Sequence, residues 1–224
     1  FLIRRNITTY SLPLKGGDPS PLPLTLDANP APICQDGYVY SKRPSFKLIL
    51  EKFSLKEAKT VSCVEIEPGV PAMRDTPMEM QVFHSCVVLA MSRPTLATLG
   101  SGDGRIYLID KGLTRVMDVK HFSNAIRDAG RIVFHTLGRN PQQPFFGIFI
   151  GVKNSKPGLQ LYGVHNNKLK VGPIVQIPWP TAFVEIEKFG FERRTSIKPA
   201  GSISVLEIRL QSSLAQIVEV KIEI

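Results

Sequence analysis

The chain has 224 residues, of which 43% are hydrophobic and 21% are charged. This is the composition of a folded globular protein and excludes an intrinsically disordered one. No apolar run approaches the roughly 20 residues that a transmembrane helix needs. The 18 prolines and 17 glycines favour many short strands over a helical bundle. Because the sequence begins at Phe1, we expect a fragment or a processed chain, and the first residues lack the apolar core of a signal peptide.

The net charge of +9 is concentrated in the middle of the chain. Residues 105–170 hold eleven Lys or Arg residues and three acidic ones, Asp110, Asp118 and Asp128. A segmental excess of basic residues indicates a polyanionic partner, either nucleic acid or an anionic membrane surface. The alternative is a solvated basic face without a specific partner.

The three cysteines, Cys34, Cys63 and Cys86, are an odd number at wide spacing. This pattern argues against a disulfide framework and fits a reducing compartment. All three can be interpreted as small buried hydrophobic residues.

Proline spacing divides the chain into two predicted parts. Residues 1–44 carry seven of the prolines from position 13 onward, which predicts an extended arm because proline fixes φ and lacks an N–H donor. Residues 45–224 are predicted to form one β-sandwich domain. Its first strands are expected at 46–53 and 60–67, and the apolar run 80–91 is expected to be one central buried strand.

A glycine-rich segment at 100–104 precedes a predicted strand at 105–110. Since this segment lacks a following Gly-Lys-Ser/Thr and a helix, we interpret it as a hairpin turn and not as a phosphate loop. Asp110 ends the strand on the same face as Ile106 and Leu108. An inward carboxylate needs a partner, and Arg105, Lys111 and Arg115 are the candidates. Alternatively, Asp110 forms the turn that follows the strand.

One helix is predicted, with Asp118 as the N-cap, Val119, Phe122 and Ile126 at helical spacing, and Gly130 as the stop. Short β-rich runs follow, separated by turn residues that include Asn166 and Asn167. They are predicted at 131–137, 145–152, 159–164, 174–177, 181–189, 202–210 and 216–224. This spacing predicts an antiparallel sandwich or barrel and disfavours a doubly wound nucleotide-binding fold.

No catalytic constellation is evident, so we expect a protein that is not an enzyme. The four histidines are isolated, and none has metal-ligand spacing, so no metal site is predicted. His84 and Cys86 would share a strand face as a nucleophile pair, but no third group completes them.

The basic residues of the middle segment are candidates for phosphate contacts without sequence preference. They are Arg105, Lys111, Arg115, Lys120, Arg127, Arg131, Arg139, Lys153, Lys156, Lys168 and Lys170. Aromatic residues that could stack on bases are Tyr107, Phe122, Phe134, Phe145, Phe146 and Tyr162.

Residues 82–136 resemble the core of the viral thirty-kilodalton movement protein superfamily, as found in tobamoviruses. The order is apolar strand, proline-containing loop, glycine-rich turn, strand, basic run, helix and strand. The segment GRIYLIDKGLTR, from Gly104 to Arg115, is similar to the family's strand that ends on an Asp followed by Lys or Arg. Asp110 would occupy the hallmark position, with Gly104 heading the motif.

The resemblance implies a mostly β protein, an antiparallel jelly-roll β-sandwich with one or two short helices. It implies cooperative binding of single-stranded nucleic acid, with RNA expected, and passage of a viral genome between plant cells. It also implies no enzyme activity and no cofactor. The expected location is the host cytoplasm, at membranes or plasmodesmata, with host membrane or cell-wall proteins as further partners and a homo-oligomeric state. The alternative function is a viral capsid or matrix subunit, located in the virion, with a basic face toward the genome or membrane. Assembly separates the two, because a shell subunit forms large interfaces with closed symmetry.

Overall fold

The structure is a computed structural model of the chain. It describes residues 2–5, 8–11, 18, 20–27, 29–67, 78–93, 102–124, 135–136, 145–151, 157–176, 189–190, 196–200, 203–212 and 217–223. Nineteen strands form five antiparallel sheets in this part of the chain. No helix occurs within the described ranges, and correspondingly none there could cross a membrane. The prediction of a mostly β, antiparallel protein is therefore confirmed.

The chain divides into two compact units. One unit comprises Phe1–Ala90 and Ile106–Val119, and the other comprises Met91–Arg105 and Lys120–Ile224. The strands of the first three sheets are β1 (Leu2–Arg5), β2 (Thr8–Ser11), β3 (Ser20–Leu22), β4 (Ile33–Gln35), β5 (Tyr38–Lys42), β6 (Ile49–Ser54), β7 (Lys59–Glu65), β8 (Met78–Val82), β9 (Cys86–Arg93), β10 (Gly102–Asp110) and β11 (Val116–Asn124).

The remaining strands form two further sheets. Their bounds are β12 (His135–Thr136), β13 (Phe145–Gly151), β14 (Pro157–His165), β15 (Lys168–Gln176), β16 (Phe189–Gly190), β17 (Ser196–Ala200), β18 (Ile203–Ser212) and β19 (Ile217–Glu223).

The sheet β4-β5-β6-β7 owes its stability to apolar side chains on its central strands. Val39 and Phe53 are fully buried, and Leu24 and Leu26 from the preceding segment pack against them. A turn of two residues with positive φ, Asp36–Gly37, joins β4 to β5, as the twist of a tight hairpin requires. The boundary that the sequence predicts between an arm and a domain, at residues 44 and 45, lies between β5 and β6. These two strands belong to one sheet and pair through five residues of each strand.

The apolar run 80–91 does not form the single strand that its composition predicts. The backbone N–H of Phe83 donates to the carbonyl of Cys86 at 2.8 Å, which closes a tight turn between β8 and β9. The two strands are neighbours in the sheet β11-β10-β9-β8. That prediction was wrong because the turn residues, His84 and Ser85, include neither glycine nor proline.

The helix predicted from Asp118 is also wrong, because Val116–Asn124 is the strand β11. The hairpin that follows Asp110 places this segment beside β10, where its backbone groups pair with a neighbouring strand. Phe122 is buried against β10, while Val119 is 37% exposed. Pairing within the sheet therefore overrides the helical spacing of these two residues. The rest of the predicted helix, from Ala125 to Gly130, lies outside the described residues.

The sheet β12-β13-β14-β15 contains a stacked aromatic pair in its core. The rings of Phe146 and Tyr162, on paired positions of β13 and β14, lie 5.6 Å apart between centroids. Burial raises the pKa of the Tyr162 hydroxyl to about 12. In the last sheet, β18 is central and pairs with β16, β17 and β19.

Every sheet of four described strands joins strands that are close in sequence. In three of these sheets the spatial order follows the chain order or its reverse, which is a meander. A Greek key pairs its fourth strand with its first, and this pairing does not occur within the described ranges. The antiparallel part of the predicted fold is confirmed, and its jelly-roll topology is not.

Candidate nucleic-acid interface

Asp110 forms the turn between β10 and β11. Its carboxylate oxygen Oδ1 accepts hydrogen bonds from the backbone N–H groups of Thr114 at 2.8 Å and Arg115 at 2.6 Å, and from the Thr114 hydroxyl at 3.0 Å. The N–H of Leu113 donates to the Asp110 carbonyl at 2.9 Å, and Leu113 adopts a positive φ of 54°. Of the two interpretations from the sequence, the turn-forming one describes this carboxylate.

The electrostatics of Asp110 follow from these contacts. Partial burial raises the pKa of its carboxyl, but hydrogen bonds from the backbone N–H groups of Arg115, Thr114 and Gly112 and from the Thr114 hydroxyl outweigh this effect and lower it. Asp110 is therefore ionised at neutral pH and holds the turn as a charged acceptor.

An ion pair and hydrogen bonds connect the same turn to the sheet β4-β5-β6-β7 and its hairpin turn. Lys111 Nζ forms an ion pair with Asp36 Oδ2 at 2.8 Å, and the Tyr40 hydroxyl lies 3.5 Å from the Lys111 carbonyl. The Ser62 hydroxyl donates to the Gly112 carbonyl. Burial, with a smaller contribution from the charge of Asp36, raises the pKa of Tyr40 to about 12, so this hydroxyl remains a donor. The Lys111 side chain is thus held in an ion pair within the fold and is less available to contact a phosphate.

Gly104 has a steric reason to be glycine. A Cβ atom at this position would lie 2.1 Å from the Phe122 ring, which is closer than two non-bonded carbon atoms can approach. The ring covers the bare backbone of β10, and Gly104 and Phe122 are both buried.

The described basic candidates occupy different environments. Arg105 in β10 and Lys120 in β11 are half-buried and have interaction partners. Arg115 is exposed in the turn, and Lys168 and Lys170 are exposed on β15. Lys111 and Arg115 belong to one compact unit, and Arg105, Lys120, Lys168 and Lys170 belong to the other. The remaining candidates, Arg127, Arg131, Arg139, Lys153 and Lys156, lie outside the described residues.

The hairpin of β14 and β15 carries two of the exposed basic candidates. Lys168 and Lys170 alternate with buried Leu169, so their side chains stand on the same face of the strand. Exposed His165 pairs with Lys168, and Gly163, which has no side chain, pairs with Lys170. The turn residues Asn166 and Asn167 both have positive φ, as the sequence predicts for a turn at this point.

No carboxylate among the described residues lies within ion-pair distance of either lysine. The chain has no Asp or Glu between Asp128 and Glu185. The hairpin therefore presents positive charge that no acidic residue of its own strands can neutralise. The acid-free stretch also holds Arg131, Arg139, Lys153 and Lys156, so exposure in the structure and not the sequence singles out the hairpin.

A bulge shapes the outer strand of this hairpin. The register shifts between Gln160 and Tyr162, and the buried Gln160 amide donates to the carbonyls of Gly172 at 2.5 Å and Pro173 at 3.4 Å. Proline and a bulge protect an edge strand against pairing with another chain. The outer strand β15 is thus unsuited to pairing with a strand of another chain. Its exposed side chains, which include Val171 and Ile174, remain accessible to solvent.

Most of the described stacking candidates are buried. Tyr107, Phe122, Phe146 and Tyr162 are 8% exposed or less. Nothing is described of the Phe145 side chain, and Phe134 lies outside the described residues. Phe46, which was not among the candidates, is 83% exposed. The sequence predicts Phe46 as the first residue of a strand at 46–53, whereas β6 begins at Ile49 and leaves Phe46 in the preceding loop, so no sequence signal identified it.

His84 and Cys86 do not form a nucleophile pair on one strand face. His84 is exposed in the turn before β9, whereas Cys86 is buried inside the strand, and burial raises the pKa of its thiol to about 11. Within the described ranges, no three His, Cys, Asp or Glu side chains are grouped as a metal ion would require.

Comparison with known proteins leaves the family of this chain open. No family model matches the sequence, and no curated protein matches it. Among solved structures, the dihydro-heme d1 dehydrogenase NirN in complex with DHE is similar, with a TM-score of 0.49 and 12% sequence identity. That alignment covers 97% of this chain and 43% of the NirN chain, so this chain spans less than half of that enzyme's length.

Proposed function

We propose that this protein is a non-enzymatic binding protein that holds single-stranded nucleic acid through the β14–β15 hairpin. The observation that carries the proposal is the exposed pair Lys168 and Lys170, beside His165, in a stretch of chain without acidic residues. Lysine is a flexible point charge that meets phosphate without reading a base. We therefore expect affinity that depends on salt and is indifferent to sequence.

Apolar side chains on the strand that carries the two lysines are also exposed. Val171 is 57% exposed and Ile174 is 45% exposed on the same strand as the two lysines. A base-paired duplex hides the faces of its bases, whereas an unpaired strand can place them against apolar side chains. Val171 follows Lys170 directly and shares the face of Leu169, so the exposed apolar surface lies on the face of β15 opposite the two lysines. A flexible unpaired strand can reach both faces of an edge strand more readily than a stiff duplex can.

The viral role stays a prediction from the sequence. Carriage of a genome through plasmodesmata was inferred from a resemblance that includes a helix after Asp110, and the strand β11 stands where that helix begins. The alternative, a capsid or matrix subunit, also stays a prediction. Binding of single-stranded nucleic acid is the property that we propose independently of either role.

The jelly-roll sandwich likewise stays a prediction, and the connectivity of the sheets supports a different fold. Each of the sheets β4-β5-β6-β7, β8 to β11 and β12 to β15 is a four-stranded antiparallel meander. Such a meander is the repeat from which β-propellers are built. We propose that the chain consists of repeats of this blade type.

The proposed interface is tested by replacing its two lysines. In the double variant Lys168→Gln and Lys170→Gln, we expect weaker binding of a labelled oligouridylate in fluorescence anisotropy. The slope of log K against log salt should become shallower by about 1.4, since each lost contact to a single strand contributes about 0.7. Oligonucleotides of other sequences should lose affinity equally.

A matched control removes the same charge elsewhere. Lys56 and Lys59 are both exposed and flank Glu57, which pairs with Lys59 at 2.8 Å. The double variant Lys56→Gln and Lys59→Gln should keep the salt slope of the natural chain. Equal losses in the two double variants would show that net charge alone matters and would contradict the proposed hairpin site.

A further inference from the structure

Phe46 is the exposed aromatic ring that a single-strand binding surface needs. The described aromatic residues that the sequence nominated are buried, whereas Phe46 is 83% exposed. It lies in the loop between β5 and β6, on the unit that contains Phe1–Ala90. A phenylalanine this exposed makes little apolar contribution to the folded core, and its ring is accessible to a ligand.

Hydrogen bonds fix the loop that carries Phe46 before and after this residue in the chain. The Ser45 hydroxyl donates to the Lys47 carbonyl at 2.7 Å, and the Lys47 N–H donates back to that hydroxyl oxygen at 3.1 Å. The N–H of Arg43 donates to the Ile49 carbonyl at 2.9 Å and closes the base of the loop. Leu48, two residues after the ring, is buried. The aromatic ring is thus presented on a preorganised support, which limits the entropy lost on binding.

Two cationic side chains flank the ring. Lys47 pairs with Glu65 at 3.2 Å and its side chain is 61% exposed, and Arg43 pairs with Glu51 at 3.3 Å and is 41% exposed. The pair of Lys47 with Glu65 is accessible to solvent and worth about 0–1 kcal/mol, so a phosphate can replace Glu65 at little cost. Glu51 is buried, so Arg43 stays paired with it and adds only the exposed part of its side chain to the surface. An exposed aromatic ring with cationic side chains close by in the chain is the combination by which proteins hold unpaired nucleotides, with the base on the ring and the backbone on the charges.

We propose that Phe46 stacks on a base of a single strand that binds at this loop. This inference rests on the proposed function, but it concerns a different unit of the chain and a different type of contact. Stacking on an aromatic ring accepts every base, which agrees with binding that is indifferent to sequence.

The test compares Phe46→Ala with the natural chain on a short oligoadenylate. We expect Phe46→Ala to weaken binding by about 5- to 150-fold, the range for losing one stacked base. On an abasic oligomer with the same sugar-phosphate backbone, the two proteins should bind equally. Val61→Ala is the matched control, because Val61 is also apolar and exposed, at 40%. It should bind both oligomers as the natural chain does.

A spectroscopic variant reports the stacking itself. Phe46→Trp combined with Trp179→Phe leaves one indole in the chain, because the natural sequence has one tryptophan. We expect oligoadenylate to quench its fluorescence and the abasic oligomer to leave it unchanged.

Each outcome supports or overturns the inference. If the natural chain binds and Phe46→Ala binds equally well, stacking is refuted and the ring is left as a contact for an apolar pocket of a protein. If the loss persists on the abasic oligomer, the ring does not recognise a base and the inference also fails. If the natural chain binds neither oligomer, the proposed function itself fails.

Discussion

Replacing Asp110 tests whether its carboxylate acts through the backbone of the turn. Asp110→Ala removes the acceptor for the N–H groups of Thr114 and Arg115 and for the Thr114 hydroxyl. Hydrogen bonds to a charged group contribute about 1.5–3 kcal/mol each when buried. Asp110 is only half-buried, so water can satisfy the abandoned donors. The loss of a comparable helix cap costs about 0.5–2 kcal/mol. We therefore expect Asp110→Ala to lower the free energy of unfolding by about 2 kcal/mol.

The assay is urea unfolding, with stability compared at a constant dependence on denaturant. Asp110→Asn keeps an acceptor oxygen and loses only the charge, so its loss should be about half as large, near 1 kcal/mol. Arg115→Gln is the informative control. Arg115 bonds to Asp110 through its backbone N–H, which glutamine retains, so this variant should unfold like the natural chain. If Arg115→Gln destabilises as much as Asp110→Asn, the carboxylate is paired with the guanidinium and our account of the turn is wrong.

The pH dependence gives the same prediction an independent test. Because the pKa of Asp110 is lowered in the folded protein, its stabilising effect is complete above the unfolded pKa, about 3.9. The effect is lost as the pH falls through the folded pKa. The difference in stability between the natural chain and Asp110→Ala should therefore shrink as the pH is lowered below about 4. A difference that is constant over this range would contradict a charged acceptor.

Three further predictions concern packing and access. Gly104→Ala should lower stability by about 1–3 kcal/mol in urea unfolding, because the new methyl group would collide with the Phe122 ring. Gln160→Leu should cost about 1–3 kcal/mol in the same assay, since it leaves the carbonyls of the β15 bulge without their buried donor. In mass spectrometry after iodoacetamide treatment, the folded protein should be alkylated at its exposed cysteines, Cys34 and Cys63, and not at buried Cys86 until it unfolds.

Each of these predictions has a decisive opposite result. When it is added to Gly104→Ala, Phe122→Leu should restore part of the lost stability. If Gly104→Ala unfolds like the natural chain, the close contact between position 104 and the Phe122 ring is wrong. Unchanged stability of Gln160→Leu would mean that the bulge does not depend on this amide. Alkylation of Cys86 at the rate of the two exposed thiols would place it outside the core.

The fold could be predicted only where local signals and sheet pairing agree. Alternation and turn residues correctly indicated a mostly β chain and the turn at Asn166 and Asn167. They failed for Val116–Asn124, because a spacing of three residues between Val119 and Phe122 suits a helix, and pairing with β10 decides the outcome. They also failed for the run 80–91, where a tight turn without glycine or proline divides one apolar segment into two strands.

The candidate site shows the same limit. The excess of basic residues in the sequence nominated Lys168 and Lys170 as candidates. Their exposure in the structure agrees with lysines beside a turn, which are commonly exposed without any long-range contact. Charge counting could not show that Lys111 is paired with Asp36, because the two residues are distant in sequence and meet only in the folded protein. Nor could composition distinguish exposed Phe46 from the buried aromatic residues, because that difference depends on packing.

The most direct test of the proposed function is binding of single-stranded RNA by the natural chain across a salt series, with particle size measured by light scattering on the same samples. We predict binding that weakens steadily between about 50 and 200 mM salt, is equal for unrelated sequences, and occurs without growth into uniform large particles. Assembly into such particles would instead favour the shell-subunit alternative. Absence of binding even at the lowest salt would contradict the account and leave Lys168 and Lys170 as solvated surface charges.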